Sequence, residues 1–186
     1  MTELVTNNPA TMPEDPRAGL HVGSRTAFTA FLKVLPGHEQ MLRDSLEADQ
    51  VDPKAAAALE EIGTLHEFRW VLFDNDTRLM FCSAFDGSWD QYIKDFASSV
   101  IGQMIDRNLA HVEGWVGIKD PRAADCLLGY GVPAVGYNCA YPQPTVKQIW
   151  RALAVDQAFD QVLDNPGATE ALQNPALEPL AELAAD

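Results

Sequence analysis

The chain predicts an α+β fold built on an antiparallel sheet, and three observations carry that reading. Runs rich in aromatic and branched residues at 26–35 (TAFTAFLKVL), 64–73 and 78–85 have the composition of strands. The second and third of these are separated by Asp74-Asn75-Asp76-Thr77. Asp and Asn tolerate the left-handed backbone of a tight hairpin, so the two strands pair antiparallel. Segments with helical rather than strand period lie between and after the strands, which sets helices against a sheet instead of alternating them in βαβ units.

Residues 1–24 are polar and carry Pro9, Pro13 and Pro16, the composition of an N-terminal arm. Pro36-Gly37 ends the first strand, and a helix from His38 to about Ala48 sets Met41, Leu42, Ser45 and Leu46 on one stripe. Residues 49–61 hold a proline and an alanine run, a second short helix before Gly63. Asp86-Gly87 breaks the strand that follows the hairpin. Ser88, three residues before Gln91, forms a capping box for a long helix ending near Asn108. Tyr92, Ile93, Phe96, Val100, Met104 and Ile105 recur on its sheet-facing side. A short helix is expected over 121–128. The segment 130–141 (YGVPAVGYNCAY) alternates as a last strand, with Pro133 placing it at an edge or a bulge. A second capping box at Thr145 and Gln148 opens a helix to about Leu163, with Val146, Ile149, Trp150, Leu153, Phe159 and Val162 apolar. From Asn165 to the end the chain is acidic, alanine-rich and broken by prolines, a tail or a short docked helix.

The order strand, helix, strand, strand, helix, strand, helix is the split βαβ, or ferredoxin-like, arrangement over residues 25–164. Helices then cover one sheet face only. The other face needs cover, and a second copy closing a barrel is the expected solution, so a homodimer is anticipated.

Composition narrows the function. The chain of 186 residues has an apolar fraction of 47%, that of one globular domain able to bury about two-thirds of its unfolded surface. A net charge of −14 with no basic stripe argues against nucleic acid and anionic membrane surfaces. Cys82, Cys126 and Cys139 show no CxxC spacing, as expected of buried free thiols in a reducing compartment. The N-terminus lacks the basic start and apolar run of a signal peptide, and no stretch reaches the ~18 apolar residues of a membrane span. A cytoplasmic protein is expected. GxGxxG, P-loop, HExxH and GxSxG patterns are absent, and no two histidines show metal-ligand spacing.

The blocks LHEFRW, RLMFCSAFDGSWDQY, NLAHVEGW and YGVPAVGYNCAYPQPTVKQI together resemble a bacterial family of dimeric α+β-barrel domains. That family is largely uncharacterised and sometimes associated with haem peroxidase or other oxidative genes. The resemblance spans about residues 24–165. It implies a superfamily that includes haem-dependent peroxidases, chlorite-decomposing enzymes, cofactor-free monooxygenases, isomerases and cyclases. Fold alone does not choose among them.

The segment LHEFRWVLF holds the first candidates. Alternation puts His66, Phe68, Trp70 and Leu72 on one face, and Leu65, Glu67, Arg69 and Val71 on the other. His66 reads as a general base in an aromatic cavity, or as a core histidine bonded to backbone. Glu67 and Arg69 share a face, either as a buried ion pair or with Arg69 holding an anionic substrate group. Which face looks inward is left open by the residues, because both are mixed. His111 is the candidate axial ligand for a haem, or a helix-end residue. Phe68, Trp70 and Tyr137 are candidate substrate contacts, the tyrosine alternatively a core residue like Tyr141. Asp86-Gly87-Ser88 has the form of an acidic catalytic turn but is accounted for by a strand end and an N-cap.

The expected function is a small-molecule enzyme, oxidative in character, with His66, Arg69 and Glu67 handling an acidic or carbonyl-bearing substrate and haem as a possible cofactor. The second reading is a non-catalytic small-ligand-binding protein or an accessory to an oxidative enzyme.

Overall fold

A computed structural model describes residues 15–183. The greater part of the expected N-terminal arm lies outside them. Its last residues are not an arm: Pro16–Ala18 form a 3-10 turn, and Leu20–Val22 form β1. The chain continues through β2 (Arg25–Lys33), α1 (Glu39–Gln50), α2 (Pro53–Ile62), β3 (Leu65–Phe73), β4 (Arg78–Asp86), α3 (Trp89–Ala97), α4 (Val100–Leu109) and α5 (Ala123–Gly129). Then come α6 (Val146–Leu163), α7 (Thr169–Leu172) and α8 (Glu178–Leu183). It forms two compact units, dividing after Val146 rather than at the expected boundary near residue 164.

The first unit holds a four-stranded antiparallel sheet in the order β1-β2-β4-β3. Its fold is therefore mixed α and β with an antiparallel sheet, as the strand and helix periods indicate. Strand alternation divides the sheet's side chains cleanly. Phe28, Ala30 and Leu32 of β2 and Leu79, Phe81 and Phe85 of β4 point to the helix side and are buried. Leu42 of α1, Ala58 of α2, Tyr92 and Phe96 of α3, and Ile101, Ile105 and Leu109 of α4 meet them in one core.

The hairpin forms as expected, with Asp74, Asn75 and Asp76 all at positive φ (52°, 53° and 64°). Arg43 of α1 grips the turn through a two-pronged contact with Asp76, at 2.8 and 2.7 Å. The single long helix expected over 88–108 is instead two. Ser99 stops α3 and caps α4 by accepting the Gly102 N–H at 3.0 Å. At this corner a Cβ on Gly102 would lie 1.9 Å from the Phe96 carbonyl oxygen, so only glycine fits the approach. Ser88 caps α3 as its spacing indicates.

The expected strand 130–141 reduces to one bridge. The Phe31 N–H donates to the Tyr130 carbonyl (3.1 Å) and the Val132 N–H to the Thr29 carbonyl (2.8 Å). Pro133 has no N–H to continue the ladder. The chain then leaves the sheet edge, and Ala134, Gly136 and Tyr137 lie over its outer face, beside Thr29 and Cys82.

The second unit contains α6 beyond Val146, with α7 and α8. Trp150, Leu153, Val155, Val162 and Leu180 are exposed, so the apolar stripe of α6 read from its spacing is not a buried one. Among the described residues no helix is long and apolar enough to cross a membrane.

One polar contact sits at the centre of the core. The Tyr92 hydroxyl donates to Ser83 Oγ at 2.6 Å, while its ring stacks on Phe85 with centroids 3.8 Å apart. Burial holds the phenol protonated, far above its ordinary pKa. Tyr92→Phe keeps the stack and strips Ser83 of its partner. The expected cost is about 1–3 kcal/mol, lowering Tm by roughly 2–10 °C for a chain of this size, measured by calorimetry. An unchanged Tm would show that the hydroxyl pair contributes nothing.

Candidate functional site

The pairing of β3 with β4 is regular from Glu67 to Phe73, but Leu65 lies opposite Phe85 and Glu67 opposite Ala84. His66 is thus the extra residue of a β-bulge, a feature that re-aims a side chain. Its Nε2 lies 2.8 Å from the Asp86 carboxylate at the end of β4. The two side chains are only 8% and 10% exposed. The other carboxylate oxygen of Asp86 accepts the Val146 N–H at 2.8 Å, and the Asp86 backbone N–H donates to Thr64 at 2.7 Å. Asp86 is therefore held from three sides.

This geometry decides the imidazole's tautomer. An ionised carboxylate only accepts, so Nε2 carries the hydrogen and Nδ1 of the neutral ring keeps the basic lone pair. Among the described residues no protein group pairs with Nδ1.

His66 is among the residues lining a cavity of about 420 Å³ between β3 and helices α1, α2 and α4. Phe68 and Trp70 line it from the strand, and Leu46, Leu59, Ile101, Met104 and Ile105 from the helices. Trp70 leans on Phe81 with centroids 4.3 Å apart, which fixes its plane. The polar part of the lining is acidic or neutral: Asp49, Gln50, Asp52, Glu67 and Asn108, with neither lysine nor arginine. Asp49 accepts from Arg107 and from the Asn108 amide (2.8 Å), and Ser45 donates to Asn108 at 2.6 Å. Asp52 caps α2 through the Lys54 N–H at 2.9 Å.

The other sequence candidates separate. His66, Glu67, Phe68 and Trp70 share this cavity. Arg69 does not: it is exposed on the outer face of the sheet, opposite Cys82. Glu67 and Arg69 do not form the expected buried pair; both are exposed, and neither makes an ion pair among the described residues. Edge position explains this, since among the described residues β3 has a strand neighbour on one side only.

Tyr137 lines a second, smaller cavity of about 190 Å³ on the outer face, with Thr29, Arg69 and Cys82. Burial and the neighbouring Cys139 thiol push its phenol above the ordinary value. Arg25 Nη1 donates to Cys139 Sγ at 3.2 Å, and Arg25 Nε is buried without a partner. The sheet thus separates Tyr137 from His66. The three cysteines are free thiols, but half-buried rather than core residues.

His111 borders neither cavity. It lies in the turn after α4 with its Nδ1 3.0 Å from Nδ1 of His38, so one ring donates and the other accepts. Among the described residues no group of three or more His, Cys, Asp or Glu is placed to hold a metal ion.

Asp86 is the site residue that the strand-end reading of Asp86-Gly87-Ser88 passed over. The signal was present in hairpin arithmetic: a turn over 74–77 brings residues near 85 and 86 opposite 65 and 66. Compared with family models, curated proteins and solved structures, the chain has no match in any of the three.

The His38–His111 pair gives a pH prediction. Desolvation, and then the His38 ring, hold the His111 pKa below its ordinary 6.5. The unfolded chain therefore binds the proton more readily, and stability falls as pH drops through about 6.5 towards the depressed folded value. Denaturant melts across pH 5–7.5 should show this fall, and His111→Gln should flatten it. A wild-type profile level across that range would contradict the assignment.

Proposed function

We propose that the protein is a small-molecule enzyme in which His66 is the general base, oriented by Asp86 and acting on a substrate bound in the aromatic-lined cavity. One observation carries this reading: a buried imidazole, on a residue lining a largely apolar cavity, whose Nε2–H is held by a fixed carboxylate while Nδ1 has no partner among the described residues. A base locked in tautomer and orientation by a third group is the recurring form of acid–base sites.

The lining also bears on the substrate. Arg69 is on the far face and the lining holds no lysine or arginine, while Glu67 contributes a carboxylate; those of Asp49 and Asp52 are engaged by Arg107, Asn108 and the Lys54 N–H. A neutral or amine-bearing aromatic molecule, or one with a carbonyl-activated C–H, fits better than an acid. The oxidative element of the reading rests on the family resemblance alone. The same resemblance supports the finer architecture we propose, a split βαβ domain that pairs with a second copy. The order β1-β2-β4-β3, with the Gly131 bridge on the free edge of β2, is compatible with it. Phe31 and Val71, 37% and 40% exposed on the outer face, leave apolar area for a partner. Three free thiols support a reducing, cytoplasmic setting.

Thermal-shift screening of neutral and amine-bearing aromatic compounds, followed by turnover assays on the hits, tests the proposal. His66→Gln should lower kcat by about 10²–10⁴-fold with the fold intact, and Asp86→Asn by about 10–100-fold. Hits that bind with equal affinity and turn over equally in the His66→Gln protein would refute it. Hits whose binding depends on Phe68 and Trp70 but which never turn over would point to the ligand-binding alternative.

A further inference from the structure

We infer that β3 pairs antiparallel with β3 of a second copy, with Phe68 on the two-fold axis. This rests on the pairing of copies proposed above and places the contact at the edge of the sheet, on β3, rather than on its outer face.

β3 is a nine-residue strand whose only strand neighbour among the described residues is β4. Its other side presents unpaired backbone donors and acceptors, a template for another strand. Exposed edges of this length are ordinarily blunted by lysine, proline or a covering element. β3 carries no lysine or proline, and its one bulge, at His66, lies near its start. A groove of about 460 Å³ runs along it, between Phe68, Trp70 and Leu72 on the strand and Arg43 and Leu46 on α1.

The register follows from the charges. In a two-fold antiparallel pair the axis must pass through a residue, because centring it between residues would set helix-side chains opposite outer-face chains. An axis at Glu67 sets the two glutamates together, and one at Arg69 sets the two arginines together, both repulsive. An axis at His66 sets Glu67 against Leu65. An axis at Trp70 sets Arg69 against Val71 and Glu67 against Phe73. Only the axis at Phe68 sets Glu67 opposite Arg69 of the other copy, twice over, and it keeps the pairing within the regular part of β3, after the bulge that turns Leu65 into the core. The two exposed and unpaired charges of β3 therefore complement each other across this one axis.

The same axis bears on the cavity. Glu67, Phe68 and Trp70 line it and also form the edge. A strand added there brings a second Phe68 and Trp70 to its opening, so the site on each copy is completed by the other.

Sedimentation velocity on the full chain, with reversed charges, is the test. The wild-type chain should be a dimer. Glu67→Arg alone sets Arg against Arg, and Arg69→Glu alone sets Glu against Glu. Each should weaken dimerisation by about tenfold or more, with far-UV spectra unchanged because both side chains are exposed. Mixing the two singly substituted chains should restore a dimer, since one copy then presents two arginines to the other's two glutamates. The doubly reversed chain should dimerise as wild type does. A monomeric wild-type chain overturns both this interface and the pairing of copies. A dimer indifferent to either reversal overturns the edge register while the pairing of copies stands. The His66 reading is decided separately, by turnover.

Discussion

Alternation along β3 is the constraint on which the rest of the molecule depends. Successive side chains of a strand point to opposite faces, and α1 to α4 pack on one of them. His66, Phe68, Trp70 and Leu72 therefore meet the helices, while Glu67, Arg69 and Val71 turn away from them. The bulge at His66 is the single departure from this pattern, and it is where the imidazole reaches Asp86. One residue less in that ladder would move every side chain of the strand to the opposite face, taking the aromatic wall out of the cavity.

The two faces of the sheet have different chemistry as a result. On the helix side, an apolar cavity carries a histidine–carboxylate pair whose hydrogen-bond directions are set by the Asp86 contacts to Val146 and Thr64. On the outer side, Arg25, Cys139 and Tyr137 gather where the chain after Pro133 crosses the sheet. Part of the cover that a one-sided sheet needs is thus supplied by the chain itself. Phe31 and Val71 remain exposed beyond it.

Departures from local expectation share a cause, which is that single residues carry tertiary meaning. Ser99 and Gly102 divide what helical spacing alone presents as one helix, because the Ser99 hydroxyl caps a new helix and glycine permits the close backbone approach at the corner. Pro133 stops a strand whose alternation is otherwise sound. Glu67 and Arg69, two apart on one face, have the spacing of an ion pair. At the edge of a sheet both reach water instead, where holding two long side chains together gains little.

By itself the sequence determined the antiparallel hairpin, the helix cap at Ser88, the grouping of His66, Phe68 and Trp70 on one face of their strand and the α+β class, because these depend on period and on backbone preferences within a few residues. Tertiary structure decided which face of β3 meets the helices, that Asp86 rather than Arg69 is the partner of His66, and that His111 faces His38. Those outcomes depend on contacts between residues 20 to 73 positions apart. Local propensity carries no information at that range, and only the packed register of the sheet supplies it.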